Sequence, residues 1–275
     1  MVRSSQRTLY MCDIDLHRQL GVPYTPLVNT TLNEKFSVLI NEDIPTDTYP
    51  KLVGYVIGIG GTVNIEGYEG YTFNEHSPVD GALFEHIPFV MREVTADLSD
   101  EERSKYRLRT IETINNTQYA CYYMRVIPSF ELKPTFYSIK TVMNSTSVSS
   151  SILSIFDTNA SAILNPKPRN RSVDYKTSNT AEYVTKIAKV DFILNEIEQV
   201  EINNCLKIKG KDQNIITEIG LCTGIDVEDQ SGCLETLATQ VAYHIAVNFS
   251  LATELVGGGN INKAIELGGL EPFIM

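Results

Sequence analysis

The sequence predicts an α+β, β-rich protein: an antiparallel sheet, or a sandwich or barrel core, with few short helices and extended arms. Three observations lead there. Apolar residues recur near period two in IITEIGLCTG at 215–224 and in VAYHIAVNF at 241–249, the spacing of half-buried strands. FSVLI at 36–40 and LVGYVIGIGGTVNIEG at 52–67 are rich in β-branched and aromatic residues broken by glycines. SDEERSKYRLR at 99–109 gives the cleanest local signal, that of one short, exposed helix.

In chain order, residues 1–35 read as an N-terminal arm, because GVPYTPLVNTT holds Pro23 and Pro26 in extended, non-helical backbone. The glycine-rich run at 52–67 reads as two or three strands, and the aromatic stretch after it, with Gly67, Gly70, Pro78 and Gly81, as a long surface loop over 67–82. Ser99 with Glu102 forms a capping box, and acids precede bases along 99–109, as the helix dipole favours. Residues 119–144 suit two strands with a turn near Pro128 or Pro134.

The serine-rich stretch after it offers one helical turn at Ile152, Ile155 and Phe156, and LNPKPRNRS at 164–172 is a basic, proline-bearing loop. Leu206 and Ile208 are expected to pair with 215–221 as a hairpin turning at Gly210–Asn214. In VAYHIAVNF, Val241, Tyr243, Ile245, Val247 and Phe249 share one face. A short helix is expected over 262–267, stopped by Gly268, followed by an apolar tail. The domain plan is therefore an arm at 1–35, a β-rich body at 36–256 with a break near 145–175, and a tail at 257–275.

At 275 residues and 43% hydrophobic, the chain buries a core without needing disulfides or metals. A formal net charge of -11 argues against nucleic acid or an anionic membrane as the partner. Charge is uneven: Lys and Arg number 6 against 14 Asp and Glu in residues 1–100, 13 against 10 in 101–200, and 4 against 10 in 201–275. Such a layout suits docking against a neighbouring copy, and a solvated surface explains it as well. Cys12, Cys121, Cys205, Cys222 and Cys233 show no C-x-x-C spacing and read as buried thiols in a reducing compartment. No signal peptide and no membrane span is expected.

The candidate chemistry is thin. Gly58, Gly60 and Gly61 resemble a dinucleotide-binding turn, but TVNIEG follows where the pyrophosphate-holding helix should start, so a glycine-rich hairpin is expected. His76 and His86, with Glu75, Asp80 and Glu85 nearby, lack a ligand spacing and read as exposed loop residues; His244 reads as a partly exposed cross-strand residue, and nothing positions His17. Serine-nucleophile and P-loop motifs are missing, and carboxylate groups such as Asp13/Asp15 read as surface. The expectation is no enzyme, no cofactor and no metal.

The segment NIITEIGLCTGID resembles "EIGL" strands of structural proteins from tailed bacteriophages, and KAIELGGLEPFIM is similar to short C-terminal tails in that group; together they cover about 25 residues. The resemblance implies a virion protein, assembled in the host cytoplasm, in a homo-oligomeric ring of the head-to-tail neck, connector or tail. Its partners would be identical subunits and neighbouring virion proteins. The alternative is a baseplate or receptor- and glycan-binding module, which 14 Tyr allow although Trp is lacking. Candidate subunit contacts are Pro23, Tyr24 and Pro26 in the arm, Tyr68, Tyr71 and Phe73 in the aromatic loop, and Leu270, Phe273 and Ile274 in the tail.

Overall fold

The computed structural model describes residues 4–27, 30–36, 38, 48–64, 71–128, 134–143, 148–155, 180–211, 214–227, 239–255 and 258–268. They form β1 (Ser4–Arg7), α1 (Leu9–Leu20), α2 (Thr30–Phe36), β2 (Lys51–Gly58), β3 (Thr62–Asn64), β4 (Tyr71–Phe73), β5 (His86–Ile87), β6 (Val90–Glu93), a 3-10 turn at Val94–Ala96, α3 (Asp100–Arg103), β7 (Tyr106–Ile114) and β8 (Thr117–Val126). There follow β9 (Thr135–Met143), β10 (Val148–Ile155), β11 (Thr180–Leu194), α4 (Glu196–Ile208), β12 (Ile215–Val227), β13 (Thr239–Glu254) and β14 (Ile261–Gly268). The protein is β-rich, with antiparallel sheets and few short helices, and none of the sheets closes into a barrel among the described residues.

The chain divides into two compact units. The first comprises Met1–Pro128 and Leu194–Asn260, the second Ser129–Ile193 and Ile261–Met275. In the first, an eight-stranded sheet runs β1-β13-β12-β2-β8, with β6 and β7 also on β8 and β5 also on β2. Its core gathers Leu32 and Phe36 of α2, Val53 and Val56 of β2, Tyr123 and Met124 of β8, Cys205 of α4 and Tyr243 and Ile245 of β13. In the second, a four-stranded sheet is ordered β10-β9-β11-β14, and Ile187, Val190, Phe192 and Ile265 are buried.

The long pair β12–β13 is bent rather than flat, because its register shifts three times along its length. At the last shift Ala242 takes a positive φ of 55°, the extra residue of a bulge. Opposite it, the Tyr243 ring lies across the bare Cα of Gly224, so that a Cβ there would come within 2.0 Å of the ring. Tyr243 donates to Asp226, which also accepts from Arg107 Nε and Nη2 at 3.0 Å each. This joins β13, β12 and β7.

Several sequence expectations change. Residues 4–20 are no arm: β1 pairs with β13, Ile14 is buried, and α1 is stopped by Gly21 at φ 63°. Leu206 and Ile208 belong to a helix, not a hairpin, because Asn195 and Glu198 form a reciprocal capping box (2.9 Å each way) and Gln199, Ile202, Cys205 and Leu206 follow helical spacing. The helix expected at 99–109 ends at Arg103, its capping box intact, and alternation from Tyr106 onward makes β7. Residues 148–155 and 261–268 are strands, since an isolated helix of one or two turns does not hold itself against an available sheet edge. β2 and β3 do not pair; β3 pairs with β4, inside the expected loop. The chain at 36–40 ends a helix at Phe36 and buries Val38, and residues 37, 39 and 40 fall outside the described residues. The strands expected at 119–144, 215–224 and 241–249 are present.

Gly224→Ala is expected to lose about 3 kcal/mol through overpacking against Tyr243. Gly258→Ala, where nothing lies within 4 Å, stays within about 0.5 kcal/mol of the parent. Urea unfolding of the two variants checks the contrast.

Candidate functional site

Glu218 lies in the middle of β12 with 0% exposure, a charged side chain in the interior. Burying a carboxylate is tolerated only when donors replace its water. Here four donors converge: His76 Nε2 at 2.8 Å and the Phe84 amide at 2.9 Å on Oε1, and the amides of Gly60 at 2.8 Å and Glu85 at 3.3 Å on Oε2. Next door Thr217 Oγ1 accepts from the Gly61 amide at 2.9 Å. Glu218 thus ties the chain at 60, at 76 and at 84–85 to β12, and Thr217 adds residue 61.

The glycines singled out in GYVIGIGG make this approach possible. A Cβ on Gly58 or Gly60 would lie 2.6 or 3.1 Å from Glu218 Oε2, and one on Gly61 2.4 Å from the Thr217 carbonyl. The expected glycine-rich hairpin does not form, since β3 pairs with β4; the glycines instead allow a close approach to the protein's own carboxylate. His76 and His86, expected to be exposed, are buried, and so is His244. His76 also stacks flat on Phe84 with centroids 4.2 Å apart, and its Nδ1 lies 3.4 Å from Asp80. His17 is positioned after all: its Nδ1 meets the Asp13 carbonyl at 2.9 Å and its ring stands edge-on to Tyr24. Among the described residues no cluster of three or more His, Cys, Asp or Glu is placed to hold a metal ion.

The surface feature that could receive a partner lies between β6 and α4. A pocket of about 160 Å³ is lined by Phe89, Val90, Leu98, Tyr106 and Ile197, with Arg92, Lys105, Glu102, Glu198 and Glu201 at its polar side. A shallower depression of about 400 Å³ continues past Arg92 and Glu201 to Asn204, Lys207 and Ile208. Arg92 forks onto Glu201 at 2.7 and 2.9 Å, and that hydrogen-bonded pairing raises the guanidinium's pKa. Arg125 pairs with Glu198, which the capping box already orients. Behind the pocket Asp97 collects Tyr122, Arg103, Arg109 and the Leu98 amide; burial pushes its carboxyl up, and the hydrogen bonds from Tyr122 and Arg109 outweigh that and hold it below the ordinary range. Arg92 and Arg125 are committed to Glu201 and Glu198, while Ile197, 74% exposed, and Val200, 52% exposed, are left in water on the outer turn of α4. A second apolar stripe, Leu16 and Leu20, occupies the outer face of α1, four residues apart.

The sequence candidates distribute differently. Pro23 is exposed and Pro26 partly so, but Tyr24 is buried in its own unit. Tyr71 and Phe73 sit in β4, with Phe73 half-buried. Tyr68, Leu270, Phe273 and Ile274 lie outside the described residues, as do Cys233 and the loop at 164–172. Of the other cysteines, Cys12 is exposed, while burial pushes the Cys121 and Cys205 thiols up to about 12 and Cys222 higher still. Sequence reasoning missed Ile197 and Val200. The NEIE capping box, once read as a helix start, places both off the buried face and was the available signal.

A family model described as a family of unknown function (DUF7208) matches residues 2–275. No curated protein and no solved structure matches the chain. No helix among the described residues is long and apolar enough to cross a membrane.

Glu218→Ala is expected to cost about 3–5 kcal/mol, since it strands three backbone amides and His76 in the interior. Glu218→Gln, which keeps the shape and one acceptor, loses less. Chemical denaturation, with hydrogen exchange at the Gly60, Phe84 and Glu85 amides, reads both effects.

Proposed function

We propose that this chain, which belongs to the DUF7208 family of unknown function, is a non-enzymatic structural component of a tailed-phage virion: a homo-oligomeric ring protein of the head-to-tail neck, connector or tail. The observation that carries this reading is the pair of apolar stripes in water, Leu16 and Leu20 on α1 and Ile197 and Val200 on α4. Contiguous apolar residues on helix faces mark surfaces that a partner covers. Two separate stripes on one unit suit the head-to-tail contacts that close a ring of identical subunits.

The wider pattern supports the same reading. Acidic, mildly basic and acidic stretches follow one another along the sequence, which favours complementary contacts between copies. Two acids at the pocket, Glu201 and Glu198, are paired with Arg92 and Arg125, as befits a surface that is covered rather than one that turns over a substrate. The EIGL strand is the segment whose glutamate staples the sheet, so the stretch that resembles phage structural proteins serves shape in this chain. The virion, after assembly in the host cytoplasm, is the matching location, with identical subunits and other virion proteins as neighbours and neither nucleic acid nor membrane in contact.

A second reading, a baseplate or receptor-binding module, draws on the pocket itself: the aromatic side chains of Phe89 and Tyr106 beside Glu102, Glu198 and Lys105 offer a sugar both a flat apolar face and hydrogen-bonding groups.

Light scattering of the purified chain is expected to give a closed ring such as a hexamer or dodecamer, and Ile197→Asp is expected to dissociate it. Because Ile197 is 74% exposed, the same substitution shifts unfolding by no more than about 0.5 kcal/mol. A parent that stays monomeric overturns the ring, and a trimer or monomer that binds glycans establishes the second reading.

A further inference from the structure

His244 occupies the middle of β13 with 1% exposure, and its ring lies flat on Tyr10 of α1, with centroids 4.8 Å apart and planes 10° apart. Neither ring nitrogen meets a hydrogen-bond partner among the described residues. Buried polar atoms nearly always find one, so this imidazole serves as an apolar plate under α1, a role open only to its neutral form.

What lies on top of the plate is lightly held. β1 contributes four residues paired to β13 at the sheet's edge. Thr8 anchors the junction, donating from its amide to the Ala246 carbonyl at 2.9 Å and from its hydroxyl to the Ile245 and Ala246 carbonyls. Leu9 donates to the Pro78 carbonyl at 2.8 Å, and Ile14 supplies the buried apolar contact. A short edge strand and a single helix belong to the part of a fold that opens first.

The charged groups on the packing elements are engaged elsewhere. On α1, Asp13 faces His17 through Oδ1 while its Oδ2 is buried without a hydrogen-bond partner among the described residues, and Asp15 holds Arg7 of β1; in the loop beside Leu9, His76 bonds Glu218 and Asp80 accepts from the Ser77 amide; on β12, Asp226 takes Arg107 and Tyr243. A proton arriving on His244 has no acceptor in place, because neither ring nitrogen bonds to any described residue, the unpartnered oxygens Asp13 Oδ2 and Asn248 Oδ1 included. Water becomes its partner only when the cover lifts.

We propose that the strand–helix unit β1–α1 is an acid-released cover of β13, held down while the His244 imidazole beneath it is uncharged. Its release uncovers the edge of β13 that β1 occupies, together with Tyr10 and Ile14. Burial alone drives the His244 pKa from 6.5 down to about 4. The folded cover favours the neutral ring, so its stability is complete above the uncovered value of 6.5 and is lost as pH falls towards 4. Between about pH 7.5 and about pH 4.5 the opening equilibrium should grow on the order of 70-fold. His86, also buried and pushed down to about 3, responds to the same pH range but lies in the core against Phe36. Its protonation would loosen the whole unit rather than the cover.

Hydrogen exchange on the intact chain, corrected for the intrinsic rate at each pH, tests this. Amides of residues 9–20 are expected to lose protection on acidification by tens of fold more than those of β8, and His244→Phe, which keeps a flat ring on Tyr10 and has no nitrogen to titrate, should remove the difference. His244→Leu provides the same test if the larger ring overfills the site. The proposal is overturned if residues 9–20 and β8 open in step in the parent, or if the selective acid opening persists in either folded variant; should neither variant fold, the comparison within the parent decides.

Discussion

The carboxylate of Glu218 is the constraint on which the first unit depends. Strand pairing alone leaves the turns after β2 and before β5 as loops over the sheet, with backbone amides that need acceptors once covered. Glu218 accepts from Gly60, Phe84 and Glu85 together and from the imidazole of His76, so the three loop segments share one anchor. The glycines at 58, 60 and 61 follow from that, because any side chain would collide with the anchor or with Thr217. Removing the carboxylate would leave the donors in the interior unpaired, and this asymmetry makes a buried staple specify one arrangement of loops more than it adds to net stability.

The same logic recurs at smaller scale around the sheet. Asp97 gathers Tyr122, Arg103 and Arg109; Asp226 gathers Arg107 and Tyr243; Glu112 gathers Tyr123 and Lys209. Each site joins residues from two or three elements through a carboxylate in a partly buried position. The polar atoms of this unit are largely spent on holding its own strands in place. Among the exposed apolar residues, those on α1 and α4 stand three or four residues apart on one helix face, and the proposed assembly role rests on them.

The sheet also sets apart what is firm from what is light. β12, β2 and β8 are enclosed by neighbours and by the glutamate anchor, whereas β1 and α1 rest on β13 through the β1 ladder, Thr8, the buried Ile14 and a ring stack, with Arg18 of α1 also reaching the Pro50 carbonyl at 3.0 Å. Placing an unpartnered imidazole under the lighter element links the state of that element to the proton concentration, because burial penalises only the charged ring. A neutral aromatic at the same place would pack as well and carry no such link.

The sequence by itself determined the class and several elements. Strands at 215–224 and 241–249, the Ser99 capping box and a strand at 52–58 are present, although neither of the first two alternates in burial and a bulge at Ala242 breaks the single face expected for 241–249. It misjudged 196–208 because Leu-Lys-Ile reads as a strand fragment until the Asn195–Glu198 box two turns earlier is weighed with it. It misjudged 261–268 and 148–155 because strand formation there depends on a neighbouring edge rather than on local preference. Tertiary structure alone decided the partners: His76 and Glu218 are 142 residues apart in the chain, and Tyr10 and His244 farther still. Hydrogen-bond periodicity and caps are written in neighbouring residues, whereas the burial of a charge or a ring depends on which distant segment folds over it, a quantity that no local pattern encodes.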